Sequence, residues 1–318
     1  MVIVGTISYD DIETPYEKAN SVLGGSATHS GLASSFHLRP PPGHPPRIGI
    51  VSAVGEDFST YHQMVLEDAG MDLAGVALRE GETSTRSVRF TESIGRSETI
   101  NTEMNVLDGF IPILPKAWEA PEVLLCANSK PSMQIEALKQ CPDAKINALD
   151  TKKIWIKEEF EGLSRAMRMV DVVILEEEDA KAISEEKVLT QAISSITSGE
   201  ALHGGVGAGP GPRSIIVKRG SSGILAHLPC GTIALPSYPT ENPIDPTGQG
   251  DTFVGALFSS LVGHDGSLND AEVMRKAMVH ATVTSSYCSE GIGTKGVRSL
   301  GRGKYHARAD RYRRIVGI

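Results

Sequence analysis

The sequence predicts an α/β protein built on a mostly parallel sheet, with a small separate β element. Short uninterrupted apolar runs recur along the chain, as strands buried on both faces require. Stretches with helical spacing separate most of them, which is the alternation of a parallel sheet. One polar stretch rich in Thr and Ser alternates with period two and fits neither pattern.

In chain order, Met1 to Gly5 (MVIVG) reads as the first buried strand, closed by glycine. Ile48 to Val54 (IGIVSAV), Val123 to Ala127 (VLLCA), Ile146 to Leu149, Val170 to Leu175 (VDVVIL) and Ile215 to Lys218 (IIVK) supply further strands. Tyr61 to Asp68 and Glu158 to Met169 carry helical spacing. Thr83 to Thr102 alternates around Val88 and Phe90 and reads as exposed antiparallel strands, a small flap whose partner strands Tyr9 to Leu23 can supply. Arg39 to Arg47 (RPPPGHPPR) and Gly199 to Arg213 (GEALHGGVGAGPGPR) are too rich in Pro and Gly to pack a core and read as surface loops, the second one flexible. The GVGAGPG inside it is not a dinucleotide fingerprint, because no strand precedes it and Pro210 and Pro212 prevent a glycine turn opening a helix.

The 318 residues carry 31 Lys+Arg against 39 Asp+Glu, a net charge of −8, which argues against a nucleic-acid partner. No segment approaches the roughly 20 apolar residues that span a bilayer, so no membrane partner is expected. The start MVIVGTISYDD lacks the features of a secretory signal, and a cytoplasmic location is expected. Cys126, Cys141, Cys230 and Cys288 form no CxxC pair and are expected as buried, reduced thiols.

The segment Asp245 to Asp251 (DPTGQGD) precedes an apolar stretch in which Phe253, Leu257 and Leu261 recur at helical spacing, so a buried helix starts close to Gly250. The free N–H groups of its first turn and the helix dipole favour an anion there, and Gly248 and Gly250 let the backbone approach it. Asp251 then has two readings: a base that takes a proton from an attacking hydroxyl, as phosphoryl transfer requires, or a helix cap. Residue type and position leave these evenly matched.

DPTGQGD resembles the C-terminal signature D-T-x-G-A-G-D of the ribokinase-like (PfkB) carbohydrate kinases. VGTISYDD, LGGSATHSG at Leu23 to Gly31, AVGEDF at Ala53 to Phe58 and VKRGSSG at Val217 to Gly223 resemble other family elements and occur in the family's order. The resemblance implies a single ribokinase-like domain over residues 1–318: a three-layer α/β/α sandwich with a small β lid formed by about 9–23 and 83–102. It implies ATP as donor, Mg²⁺, and a hydroxymethyl group of a sugar, polyol or nucleoside as acceptor, so that the protein is a phosphotransferase. Carried over, Asp251 is the base, the amides of Gly248, Gln249 and Gly250 form the anion hole, and Asp10 binds acceptor hydroxyls with Gly24 and Gly25 closing on the acceptor. Lys218, Gly220, Gly223 and Thr247 line the ATP side, with Ala281 and Gly293 near the adenine, although Lys218 also reads as merely solvated. A monovalent cation near Asp245 and Thr247 is a family feature that the sequence does not test, and monomer and homodimer both stay open.

Two departures stand out. Gln249 replaces the usual alanine inside the anion hole. The family's N-x-x-E, which organises magnesium-bound water, aligns with Glu176 to Asp179, so Glu176 and Asp179 would hold Mg²⁺ through water, unless the acidic run only starts a solvated helix. These departures motivate an alternative, a noncatalytic nucleotide- or sugar-binding protein on the same scaffold. His29 reads as a wall of the site rather than a catalytic group, and Asp150 either reaches the acceptor pocket or caps a helix. The basic tail Arg298 to Arg314 reads as the wet face of an amphipathic helix packed through Tyr305, Tyr312 and Ile315.

Overall fold

The first strand, β1 (Val2–Val4), shows why the chain layers as it does: Ile3 belongs to one hydrophobic cluster and Val2 and Val4 to the other, all three buried. In the computed structural model, which describes residues 1–41, 43–91 and 97–318, the same alternation recurs along the sheet. Chain order continues with β2 (Ser8–Glu13), β3 (Lys18–Gly24), α1 (Ser26–Leu38), β4 (Ile48–Val54), α2 (Thr60–Asp68), β5 (Met71–Leu78), β6 (Ser84–Phe90) and β7 (Ser97–Glu103). Next come β8 (Val123–Cys126), α3 (Pro131–Gln140), β9 (Ile146–Asp150), α4 (Lys153–Glu158), α5 (Phe160–Arg168), β10 (Val172–Glu176), α6 (Glu177–Ser184), α7 (Leu189–Ser198) and β11 (Ser214–Lys218). The chain closes with β12 (Ile224–Leu228), β13 (Gly231–Leu235), α8 (Gln249–Ser259), α9 (Ala271–Cys288), α10 (Lys295–Arg298) and α11 (Arg302–Val316).

The large sheet runs β13-β12-β11-β10-β9-β8-β1-β4-β5. From β11 to β5 every pairing is parallel, and β12 and β13 extend the edge antiparallel. Val123, Leu125, Val172, Ile174 and Ile216 point to one face, while Leu124, Val173, Leu175, Ile215 and Val217 point to the other. Helices α1, α8, α9 and α11 cover the first face, and α3, α5, α6 and α7 the second, giving three layers. Strand β1 is the switch point, because the chain builds outward from it to β4 and β5 on one side and to β8 through β11 on the other. Ligand sites in open parallel sheets lie outside the carboxyl ends of the strands at such a point.

A second sheet, β3-β2-β6-β7, stands apart as the lid. Its pairing combines the two anticipated segments: β6 and β7 run antiparallel, as expected of Thr83 to Thr102, and β2 joins β6 in parallel, Asp10 opposite Arg86. Residues 92–96 of the anticipated flap lie outside the described residues, as does Pro42 of the proline-rich loop. The lid has its own small core of Ile12, Val88, Phe90 and Ile292, and its base is fixed by Tyr9, whose hydroxyl accepts from the Ser59 amide at 3.0 Å.

Other expectations shift in detail. The helix expected from Glu158 to Met169 is α5, Phe160–Arg168; Glu158 closes the preceding α4, and Glu159, whose φ of −140° leaves the helical region, separates the two. Residues 199–213 form consecutive turns in which the carbonyls of Gly199, His203, Gly205 and Gly209 accept from the Arg168 guanidinium at 3.0–3.3 Å. Glycine-rich composition gave no sign of that anchor. Cys126, Cys141 and Cys288 are buried free thiols, whereas Cys230 is only half-buried. On α11, Tyr305 and Tyr312 are buried, but Ile315 is exposed, so the apolar stripe ends a turn earlier than its spacing suggests.

Candidate active site

Helix α8 sets the geometry. Gly248 precedes it with φ +74°, a left-handed conformation that glycine adopts without a Cβ penalty, and a Cβ there would meet the His29 ring at 2.3 Å. Gly255 lets α8 lie directly on α1, since a Cβ would fall 2.2 Å from the Ser30 carbonyl oxygen. The hydroxyls of Ser30 and Ser34 then donate to the carbonyls of Asp251 and Gly255 at 2.9 and 3.0 Å. The first turn of α8 is therefore held on a rigid helix pair.

Within that turn the amides of Gly248, Gly250 and Asp251 make no hydrogen bond among the described residues, while the Gln249 amide donates to the Pro246 carbonyl at 3.1 Å. Of the three amides anticipated as donors, those of Gly248 and Gly250 are thus free, whereas closing the Pro246 turn consumes the Gln249 N–H; the amide of Asp251 is free beside them. Asp251 is no helix cap: Gly248 holds the cap position, and Asp251 Oδ1 is buried without a partner.

A cavity of about 900 Å³ lies between the lid and the carboxyl ends of the strands. Asp10, Gly25, His29, Thr247, Gly248 and Asp251, all singled out from sequence or neighbouring such a residue, share its wall. Asp10 is buried on β2 and accepts from the Ser8 hydroxyl at 2.7 Å; burial pushes its pKa up to about 6. Gly24 serves Asp10, because a Cβ there would lie 2.4 Å from the Asp10 carboxylate. Asp245 is fully occupied, accepting from the amides of Thr247 at 2.8 Å and Gly293 at 2.7 Å, which ties the Asp245 loop to the turn after α9.

Beneath the α8 turn lies an ion-pair cluster centred on the buried Lys218. Lys218 Nζ is 3.1 Å from Asp150 Oδ1 and 3.3 Å from Glu176 Oε1, and a Cβ on Gly250 would touch it at 3.1 Å. Lys218 is therefore not solvated, and Asp150 is an ion-pair partner rather than a helix cap. Burial would lower the Lys218 pKa, but Asp150, Glu176 and Asp251 outweigh it and hold the ammonium charged. Burial, then the Glu176 charge, raises Asp179 to about 6. For Asp251, burial acts upward, yet Lys152, His29, Lys218 and Arg86 together leave it below the usual carboxylate range. His29 itself is neutral at pH 7, its pKa pushed down to about 4 by burial, so the cations that matter there are Lys152, Lys218 and Arg86. Gly220 and Gly223 sit in the turn between β11 and β12; Gly223, with φ +90°, is required by packing, since a Cβ would fall 2.1 Å from the Leu235 carbonyl oxygen.

The model of the pfkB family carbohydrate kinases matches residues 47–290. The chain belongs to that family. As a member it is a phosphotransferase with an alcohol group as acceptor. It is 26% identical over 269 residues to the cytidine kinase of Thermococcus kodakarensis, covering 81% of this chain and 87% of that one. It also resembles the solved nucleoside kinase of Methanocaldococcus jannaschii, with a TM-score of 0.71, 16% identity and 98% of both chains covered. A double mutant of the fructokinase of Vibrio cholerae O395 with fructose, ADP and potassium ion bound gives 0.74, 19% identity and 97% of both chains. An E. coli putative ribokinase II in complex with ATP and Mg²⁺ gives 0.73, 18% identity and 98% of both chains. These likenesses confirm the ribokinase-like fold.

Two residues of this kinase's cavity were not anticipated from sequence. Lys152 lies two positions past the end of β9, with Nζ 3.9 Å from Asp251 Oδ2. Arg86 lies on β6 opposite Asp10. The signal for Lys152 was present, because residues just past the carboxyl end of a parallel strand face the ligand crevice. Arg86 carried only the weaker signal of lid alternation.

Proposed function

We propose that this kinase transfers the γ-phosphoryl group of ATP to a hydroxyl, a hydroxymethyl group, of a sugar, polyol or nucleoside, with Asp251 as general base. One observation carries the reading: a buried carboxylate with an unpartnered oxygen stands on a cavity wall beside the unpaired amides of a helix N-terminus. Asp10 orients the acceptor by accepting from its hydroxyls. The acceptor oxygen attacks the γ-phosphorus, its proton passes to Asp251, and the bond from phosphorus to the oxygen of ADP breaks. The amides of Gly248, Gly250 and Asp251 receive the charge on the transferred group, which is where preorganised donors lower a barrier most. The lid closes over the acceptor and excludes water that would otherwise accept the phosphoryl group.

Glu176 and Asp179 fit a role in holding Mg²⁺ through water. Both face the cluster at the end of β10, and no group of three or more His, Cys, Asp or Glu side chains among the described residues forms a cage of its own. Mg²⁺ is commonly bound by one or two carboxylates together with substrate phosphates, and it neutralises charge on the phosphates when bound. Lys218 holds that acidic cluster together, and Gly220 and Gly223 shape the turn on the ATP side. Asp245, both of whose oxygens are occupied by amides, orders the Thr247 loop against Gly293, and a monovalent cation would have to be held by main-chain carbonyls there. No helix of the described residues is long and apolar enough to cross a membrane. We place the enzyme in the cytoplasm; sedimentation decides between monomer and homodimer. Nothing in the site favours a noncatalytic scaffold, since the side chain of Gln249 leaves three donors free.

The test is ADP release in Mg²⁺ over pentoses, hexoses, cyclitols and nucleosides. Turnover of at least one class is expected, and silence across all of them with ATP still bound would overturn the reading.

A further inference from the structure

Lys152 precedes α4 and reaches back over the mouth of the cavity to Asp251. Its Nζ lies 3.9 Å from Asp251 Oδ2, about 1 Å beyond a closed charge-assisted hydrogen bond. Among the described residues it has no other carboxylate within reach and no hydrogen bond, and its side chain is 39% exposed where that of Asp251 is 8%. This contrasts with Lys218, which is buried and closed onto Asp150 and Glu176 at 3.1 and 3.3 Å. One ammonium near the base is already committed, and the other is held at a distance that leaves room for a third group. Asp251 Oδ1 is equally uncommitted.

We propose that Lys152 is a positioning residue for phosphoryl transfer: its ammonium fixes the orientation and ionisation of Asp251 and stands beside the path of the transferred group. The inference rests on the function proposed above. A flexible stem with a compact charge suits this better than a rigid guanidinium, because the ammonium can turn from Asp251 toward a phosphoryl oxygen without leaving the site. The only proton that moves goes from the acceptor hydroxyl to Asp251. The other groups facing Asp251 are Lys218 on β11, Asp150 on β9, His29 on α1, Arg86 on β6 and Cys288 on α9. Of these, His29 and Cys288 are neutral near pH 7, and Asp150 is matched by Lys218. Lys152 and Arg86 are the partly exposed cations of this set, and Lys152 is the one whose ammonium stands within 4 Å of the Asp251 carboxylate, so its removal changes the charge seen by Asp251 without opening the interior.

The experiment compares wild type, K152M and K152R by steady-state kinetics and by ¹³C NMR titration of the Asp251 carboxyl. In K152M the Asp251 titration moves to higher pH, kcat falls by roughly 10²–10³, as on loss of one charge-stabilising donor, and KM for ATP changes little. K152R restores the titration and part of kcat. An Asp251 titration that stays in place in K152M overturns the proposal, even in a protein that turns over no acceptor, and so does an unchanged kcat. A titration that moves in K152M, with the wild-type protein silent toward every acceptor, supports the pairing and instead overturns the phosphotransfer reading.

Discussion

Replacing Gly248 by alanine tests whether the α8 turn and the His29 wall set the catalytic geometry. Two effects add. A residue with a Cβ held at φ +74° carries roughly 1–2 kcal/mol of left-handed strain. The new Cβ would also lie 2.3 Å from three atoms of the His29 ring, so the ring or the turn has to move by about 1 Å to reach ordinary contact. His29 is 1% exposed, and Cys288 Sγ stands 3.9 Å behind its Nδ1, so little free space receives it. Overpacking of this kind costs about 1–3 kcal/mol, and the sum of about 2–5 kcal/mol lowers Tm by roughly 5–15 °C for a chain of this size. A shift of about 1 Å in the donors beside Asp251 lowers kcat by about 10²-fold. Differential scanning fluorimetry and a coupled ADP-release assay read the two effects. Gly263→Ala is the control: its φ is +88° but no atom lies within 4 Å of the added Cβ, so it carries the strain alone and leaves kcat unchanged. If Gly248→Ala keeps kcat within about threefold of wild type, under 1 kcal/mol of barrier, the geometric argument for this turn is wrong.

Asp10→Asn should raise KM for the acceptor by roughly 10–100-fold, the worth of hydrogen bonds to a charged group, with KM for ATP unchanged; equal effects on both substrates would contradict the assignment. Burial raises Asp10 to about 6, so its ionised form is present above that pH and lost as pH falls through it. The pH profile of kcat/KM for the acceptor should therefore fall below about pH 6, and this limb should vanish in the Asn variant. Arg168→Ala removes the group on which four carbonyls of the 199–213 segment converge, at a cost of about 2–4 kcal/mol, which should speed proteolysis in that segment without changing kcat. Unaltered cleavage kinetics would show that the guanidinium does not anchor it.

The sheet was legible because strands buried on both faces must be apolar throughout: IGIVSAV became β4 with the same boundaries, and VLLC became β8. The lid was legible from its polar alternation, but the parallel pairing of β2 with β6 joins segments some 75 residues apart and leaves no local trace. Within the site, glycines and Asp251 announced the α8 turn, since a helix start after two glycines exposes its amides wherever it lies. That the Gln249 amide is spent on Pro246 depends on the closure of one turn, and no residue type signals it. Lys218 illustrates a different limit: a lysine at a strand end reads as solvated, and only the convergence of Asp150 and Glu176 from two neighbouring strands makes burial of its charge affordable. Lys152 was missed for the converse reason, as one of two adjacent lysines opening a helix, an arrangement common on solvated surfaces.

The most direct measurement is single-turnover phosphoryl transfer by Asp251→Asn, with ATP, Mg²⁺ and an acceptor that the wild-type kinase turns over. The isosteric amide keeps the buried volume and cannot take a proton, so the chemical step should slow by roughly 10²–10⁴-fold while ATP binding and Tm stay near wild type. A variant that transfers the phosphoryl group at the wild-type rate would remove Asp251 from the reaction, and with it the role assigned to this end of α8.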